Sequence, residues 1–221
     1  MIRAGKGCSV LLTGFGPFPG VTINASANLA SALAQSAQRR HPDHRFHVEV
    51  LPVAWGMALD RLDAAFAATR PHVSLHFGVS DRAEGLVIET VARNACADIP
   101  DADGKRPRGK ALVAGGRNER KTRLPVRAIL ERLERAPCPA ILSDDAGTYL
   151  CNAVMYHALA SARRATPPRR AGFIHIPTLL GRDMTLENPR WRDVVESASV
   201  LLDIAINRHT PSEIARHSGT V

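Results

Sequence analysis

Apolar positions fall along this chain in two rhythms, short continuous runs and longer stretches with a single apolar face. The run at 9–13 (Ser-Val-Leu-Leu-Thr) predicts a buried strand, ended by the glycine- and proline-rich segment 14–20. Asn24 or Ser26 can cap a following helix in which Ala25, Leu29, Ala32 and Leu33 share a face. Residues 47–53 alternate like a strand, 57–68 read as helix, and 73–77 form a strand stopped at Gly78. An extended segment is expected over 86–91, then a polar loop, 98–116. A helix over 125–135 would stripe Val126, Ile129, Leu130 and Leu133 along one side. A short strand at 140–142, a helix at 149–162 and a strand at 172–176 follow. The helix predicted over 191–207 turns Val194, Val195, Ala198, Leu201, Leu202 and Ala205 inward.

Strand and helix alternate throughout, which predicts one α/β/α sandwich with helices on both faces of its sheet. No internal repeat or linker divides the chain, so residues 1–221 are expected to form a single domain, with 209–221 as a frayed tail. At 221 residues and 45% hydrophobic, the chain can build a core without disulfide or metal staples. No apolar run approaches the ~20 residues of a membrane span, and the apolar stretch near the start is too short for a signal-peptide core. A soluble, cytoplasmic protein with no membrane contact is the expectation.

Charge raises another class of partner. The net charge is +8, and eleven Lys and Arg lie between Lys105 and Arg135 against three Glu. Arg outnumbers Lys by 25 to 4 over the whole chain, however, and no Trp or Tyr falls in the basic segment to stack on bases. A solvated basic face is therefore preferred to a nucleic-acid contact.

The four cysteines, Cys8, Cys96, Cys138 and Cys151, are dispersed without CxxC or zinc-ligand spacing, so no metal site is expected. Cys151 differs from the rest. It follows a strand and a small-residue turn, at the opening of a helix whose free amides and positive end favour a thiolate and could hold an oxyanion. The other reading is a small residue on the helix's inner face, beside Val154, Met155 and Ala158. His175 lies near the end of an apolar strand. It is either a satisfied core histidine or, because it and Cys151 end strands of consecutive β/α units, the base that activates the thiol. Glu89, inside an apolar run, could orient that imidazole or face solvent from an edge strand. Phe15 and Phe18 flank the first turn, which lacks a phosphate-binding pattern; they suit the walls of a small apolar pocket or a core plug.

Six segments then resemble the pyroglutamyl peptidase I (pyrrolidone-carboxylate peptidase) family: VLLTGFGPFPGVTIN (10–24), HFGVS (76–80), IETVARN (88–94), DIPDADG (98–104), AGTYLCN (146–152) and GFIHIP (172–177). Each is weak alone; six in register are specific. The resemblance implies a Glu89–Cys151–His175 triad, with Phe15 and Phe18 sandwiching a pyrrolidone ring and Asn24 and Val79 beside it. It implies an open, twisted mixed sheet, no cofactor, substrates that are small peptides beginning with pyroglutamate, and a homo-oligomer, commonly a tetramer. Two departures stand out. Arg93 occupies a position usually apolar in the family, and Asp98 one where many bacterial members carry arginine. They keep two alternatives open: a thiol hydrolase for another N-terminal acyl group, or a non-catalytic relative whose basic loop, 105–127, meets nucleic acid.

Overall fold

The computed structural model describes residues 7–165 and 169–207; the tail expected over 209–221 lies outside them. Among the described residues, six strands form the main sheet and five helices cover it. The chain enters through β1 (Ser9–Phe15), whose residues from Val10 onward are all buried. It turns through the glycine-rich loop into α1 (Ala25–Arg40). Asn24 caps α1 by accepting from the Ser26 amide, and Arg39 and Arg40 oppose the dipole at its far end. Gly14 is required where β1 meets this helix: a Cβ there would stand 2.3 Å from the Ala27 nitrogen. Next come β2 (Arg45–Leu51), α2 (Met57–Thr69) and β3 (Val73–Ser80). The second half adds β4 (Leu86–Glu89), β5 (Val91–Arg93), β6 (Glu119–Lys121), α3 (Val126–Leu133), β7 (Ala140–Ser143), α4 (Leu150–Arg164), β8 (Arg170–Pro177) and α5 (Pro189–Ile206).

The sheet order is β2-β1-β3-β8-β4-β7. β2, β1, β3 and β8 run parallel, while β4 pairs antiparallel to β8 and parallel to β7. The sheet is thus mixed, as the family resemblance implied. Helices α1, α3 and α5 cover one face over a core that includes Leu12, Leu29, Phe77, Ile174 and Leu201. Helices α2 and α4 cover the other, with Leu11, Phe15, Leu62, Met155 and Phe173 beneath them. None of these helices is long and apolar enough to cross a membrane.

Three local expectations change. β3 runs past Gly78 to Ser80, because β8 pairs with it along its whole length and supplies the partners that a glycine would otherwise forfeit. The extended segment 86–91 splits at Thr90. Its amide and hydroxyl both donate to the Ser143 carbonyl, at 2.7 and 2.8 Å, while its carbonyl accepts from Thr122. The chain thereby passes from the main sheet into a separate two-stranded ribbon, β5-β6. Finally, β7 runs opposite to β8, so Cys151 is not carried to the carboxyl end of its own strand as consecutive β/α units would require. The loop from Asp144 to Tyr149 brings the chain back instead, to start α4 beside the carboxyl ends of β3 and β8.

Candidate active site

Strand alternation assembles the polar groups on one face. Gly78 pairs with His175 in the β3–β8 ladder, and Glu89 pairs with Phe173 two residues before it. All four residues therefore point into the α2–α4 layer. Glu89 is 2% exposed, and His175 Nδ1 sits 2.8 Å from its Oε1. The other carboxylate oxygen, Oε2, is buried and has no donor among the described residues. With Nδ1 engaged, Nε2 is the ring nitrogen left for the sulfur.

Cys151 lies in the first turn of α4, and among the four thiols it alone is not buried. Its sulfur stands beside the Gly78–His175 pair of the β3–β8 ladder, close enough for its charge to act on the ring. Burial by itself would lower the His175 pKa; the negative charge of Cys151, followed by the hydrogen bond and charge of Glu89, overrides it and raises the pKa to about 10. The imidazolium therefore persists through neutral pH. The residue before the helix, Tyr149, offers no side-chain cap, so the first-turn amides face the site without an internal acceptor. By contrast, burial pushes up the thiols of Cys96 and Cys138.

Gly78 is the residue that sequence reasoning misread, as a strand stop. A Cβ at this position would lie 2.8 Å from Phe173 Cζ and 3.0 Å from Cys151 Sγ. The bare backbone makes the space in which the thiol meets the imidazole. A glycine embedded in an apolar strand was the available signal. Two residues earlier, His76 is a core histidine: burial, then the charge of His157, lowers its pKa to about 3, and Thr13 and Ser74 satisfy its ring.

The pocket residues are placed unequally. Phe15 is buried in the α2–α4 core, against which Phe18, Trp55, Tyr149 and Cys151 pack. Asn24 is committed to the loop that carries these rings: its amide donates to the Gly16 carbonyl at 3.0 Å, and its Oδ1 accepts from Ser26 Oγ at 2.7 Å. Val79 packs its side chain on the opposite, α1–α3–α5 side. Arg93 does not reach toward the sulfur. It donates to the Asp144 carbonyl at 2.7 Å and to Asp145 at 3.2 Å, bracing the loop before Cys151. Asp98 is exposed and paired with Arg106 at 3.0 Å. Asn152, which drew no attention in the sequence beyond its place after Cys151, is fully buried and ties α4 to β5. It accepts from the Arg93 amide and donates to the Arg93 and Ala95 carbonyls, each within 2.9 Å.

The polar loop closes one side of the site. Asp101 accepts from the amides of Trp55, Asp103 and Lys105, at 2.7 to 3.0 Å. Trp55 Nε1 donates to the Ile99 carbonyl, the Tyr149 hydroxyl donates to the Pro100 carbonyl, and the two rings meet edge to face at 5.2 Å.

A thiol paired with an imidazole, itself held by a buried carboxylate on an α/β sheet, is the constellation of a cysteine hydrolase. Comparison with known proteins narrows the class. The family model described as pyroglutamyl peptidase matches residues 8–196, and this chain belongs to that family. The pyrrolidone-carboxylate peptidase of Chromobacterium violaceum is 34% identical over 219 residues, covering 96% of this chain and 99% of its own. That of Pyrococcus furiosus is 31% identical, covering 89% and 97%. The crystal structure of pyroglutamyl peptidase I from Bacillus amyloliquefaciens superposes with a TM-score of 0.78 at 29% identity, covering 90% of this chain and 97% of that one.

Proposed function

We propose that this protein is a cysteine omega-peptidase that hydrolyses the amide bond following an N-terminal pyroglutamyl residue. One observation carries the residue assignment: Glu89, His175 and the Cys151 thiol adjoin one another on one sheet face, in a chain of the pyroglutamyl peptidase family. His175 takes the Cys151 proton, so that thiolate and imidazolium meet the substrate. The thiolate attacks the pyroglutamyl carbonyl carbon, and the first-turn amides of α4 stabilise the oxyanion. Collapse breaks the C–N bond, and His175 gives its proton to the departing amine. Neutral His175 then takes a proton from water as its oxygen attacks the thioester, releasing pyroglutamate and restoring the ion pair. Phe15 and Phe18 wall the flat lactam, and Asn24 holds their loop. A free amino terminus would bring an ammonium group into that apolar space and be rejected by its desolvation cost.

The reading extends to a cytoplasmic, single-domain enzyme that forms a homo-oligomer. Ile141 and Leu142, 59% and 42% exposed on the edge strand β7, support the last point, since an exposed apolar edge favours pairing with another chain. The decisive assay is hydrolysis of a fluorogenic pyroglutamyl amide, beside prolyl and alanyl amides. Turnover of the first alone, abolished by iodoacetamide and by Cys151→Ala in a folded variant, is expected. Preference for either other amide would overturn the substrate assignment, and an active Cys151→Ala would overturn the nucleophile.

A further inference from the structure

Ten of the eleven Lys and Arg between Lys105 and Arg135 are exposed, the solvated basic face that the sequence suggested, and Arg120 alone is half-buried. β6 folds against α4, and these two elements with the residues flanking β6 line a cavity of about 380 Å³. Five cations line it, Arg117, Arg120, Lys121, Arg123 and Arg163, against one carboxylate, Glu119. That carboxylate is engaged from another direction by Arg93, 3.7 Å away. Among the described residues, none of the five cations has a carboxylate within ion-pairing distance. Five positive charges around one small concavity repel one another, and the native state tolerates this only at a cost in stability.

The donors are also preorganised. The Arg120 guanidinium lies 4.4 Å from the centroid of the Tyr156 ring, and Tyr156 is fixed in turn by its hydroxyl, which donates to the Arg117 carbonyl at 2.7 Å. Arg120 Nε is buried without an acceptor among the described residues. A buried N–H lacking a partner wants an oxygen, and guanidinium forks match tetrahedral oxyanions by paired donation. Among the described residues no aromatic ring lines the cavity, and the Tyr156 ring beside it is already covered by Arg120, which leaves no platform for a stacked base.

We propose that this cavity is a binding site for a small multivalent oxyanion of the phosphate class. The site lies at the second half of α4, at Leu159 and Arg163, away from Cys151 in its first turn, and does not depend on the peptidase assignment. Inorganic pyrophosphate is the probe, with thermal unfolding of the full chain as the readout. At a hundredfold excess over Kd, pyrophosphate should raise Tm by about 5 °C or more. Sodium chloride at matched ionic strength should not. Lys121→Gln combined with Arg163→Gln removes two exposed, unpaired cations without touching the core, and should weaken pyrophosphate at least tenfold. ADP acting at lower concentration than pyrophosphate would identify a nucleotide as the phosphate source; equal potency would identify free phosphate. The proposal is overturned by no rise in Tm, by an equal rise in the double variant or with sodium chloride, or by single-stranded oligonucleotide binding in preference to pyrophosphate.

Discussion

Glu89 has one oxygen on His175 and another buried without a donor among the described residues, an arrangement that costs about 1–3 kcal/mol for the orphaned group. The imidazolium it helps to hold offsets that cost, so the carboxylate's charge matters more than its shape. Glu89→Gln keeps the shape and removes the charge. It should lower kcat/KM by about 10²- to 10³-fold. It also removes one of the two influences that raise His175, so the alkaline limb of the pH–rate profile, where the imidazolium is lost, should move to lower pH. A limb that stays in place would assign the whole upward shift to Cys151. Gly78→Ala tests the other side of the sulfur. The new methyl must displace Phe173 or the thiol, and a misplacement near 1 Å is enough to cost about 10²-fold in kcat. Alkylation of Cys151 by iodoacetamide should slow in parallel. Wild-type rates for both would mean that the backbone there is not what seats the thiol.

At the scale of elements, α4 is held at its first turn by Asn152, whose side chain makes three hydrogen bonds to β5 and the loop after it. Asn152→Ala orphans one amide and two carbonyls and should destabilise the protein by about 2–4 kcal/mol. For a chain of this length that is a fall in Tm of roughly 5–12 °C, measurable by calorimetry; a fall within 2 °C would show that the helix start is fixed by packing alone. This clasp also marks the limit of what could be read in advance. The amphipathic helices α2, α3, α4 and α5 were legible to within two residues or so, and α1 by its cap and its face, because each buries a periodic face. The strands β1, β3 and β8 were legible as apolar runs. β6 was not: its Glu-Arg-Lys has no apolar residue, and it exists because β5 pairs with it. The break at Thr90 was hidden because both sides of it are extended. The direction of β4 and β7 was hidden because strand polarity is a property of the sheet, not of a segment. Glu89 and His175 stood out as polar groups in apolar surroundings, whereas Asn152 and Asp101 act through backbone and become visible only once the chain is folded.

The whole molecule brings together groups far apart in sequence, and the His175–Glu89 hydrogen bond spans 86 residues. The charge state of the site is consequently linked to global stability. In the unfolded chain His175 titrates near its ordinary value of 6.5; in the native state it titrates near 10. A histidine whose native pKa is raised contributes stability that is complete below about pH 6.5 and is lost as pH climbs from there through about 10, because over that window the native state binds the extra proton. Cys151 supplies the first of the influences that raise it, so Cys151→Ala should bring the native pKa of His175 down and shrink this contribution. The test is urea unfolding of both proteins at a series of pH values from 6 to 10.5, with the 13C-labelled His175 ring followed by NMR. The wild-type ring should remain imidazolium beyond pH 9, and its stability should fall more steeply than the variant's between pH 7 and 10. Identical histidine titrations in the two proteins would mean that the thiol at the start of α4 and the imidazole on β8 are electrostatically independent, and the ion-pair mechanism would fall with that result.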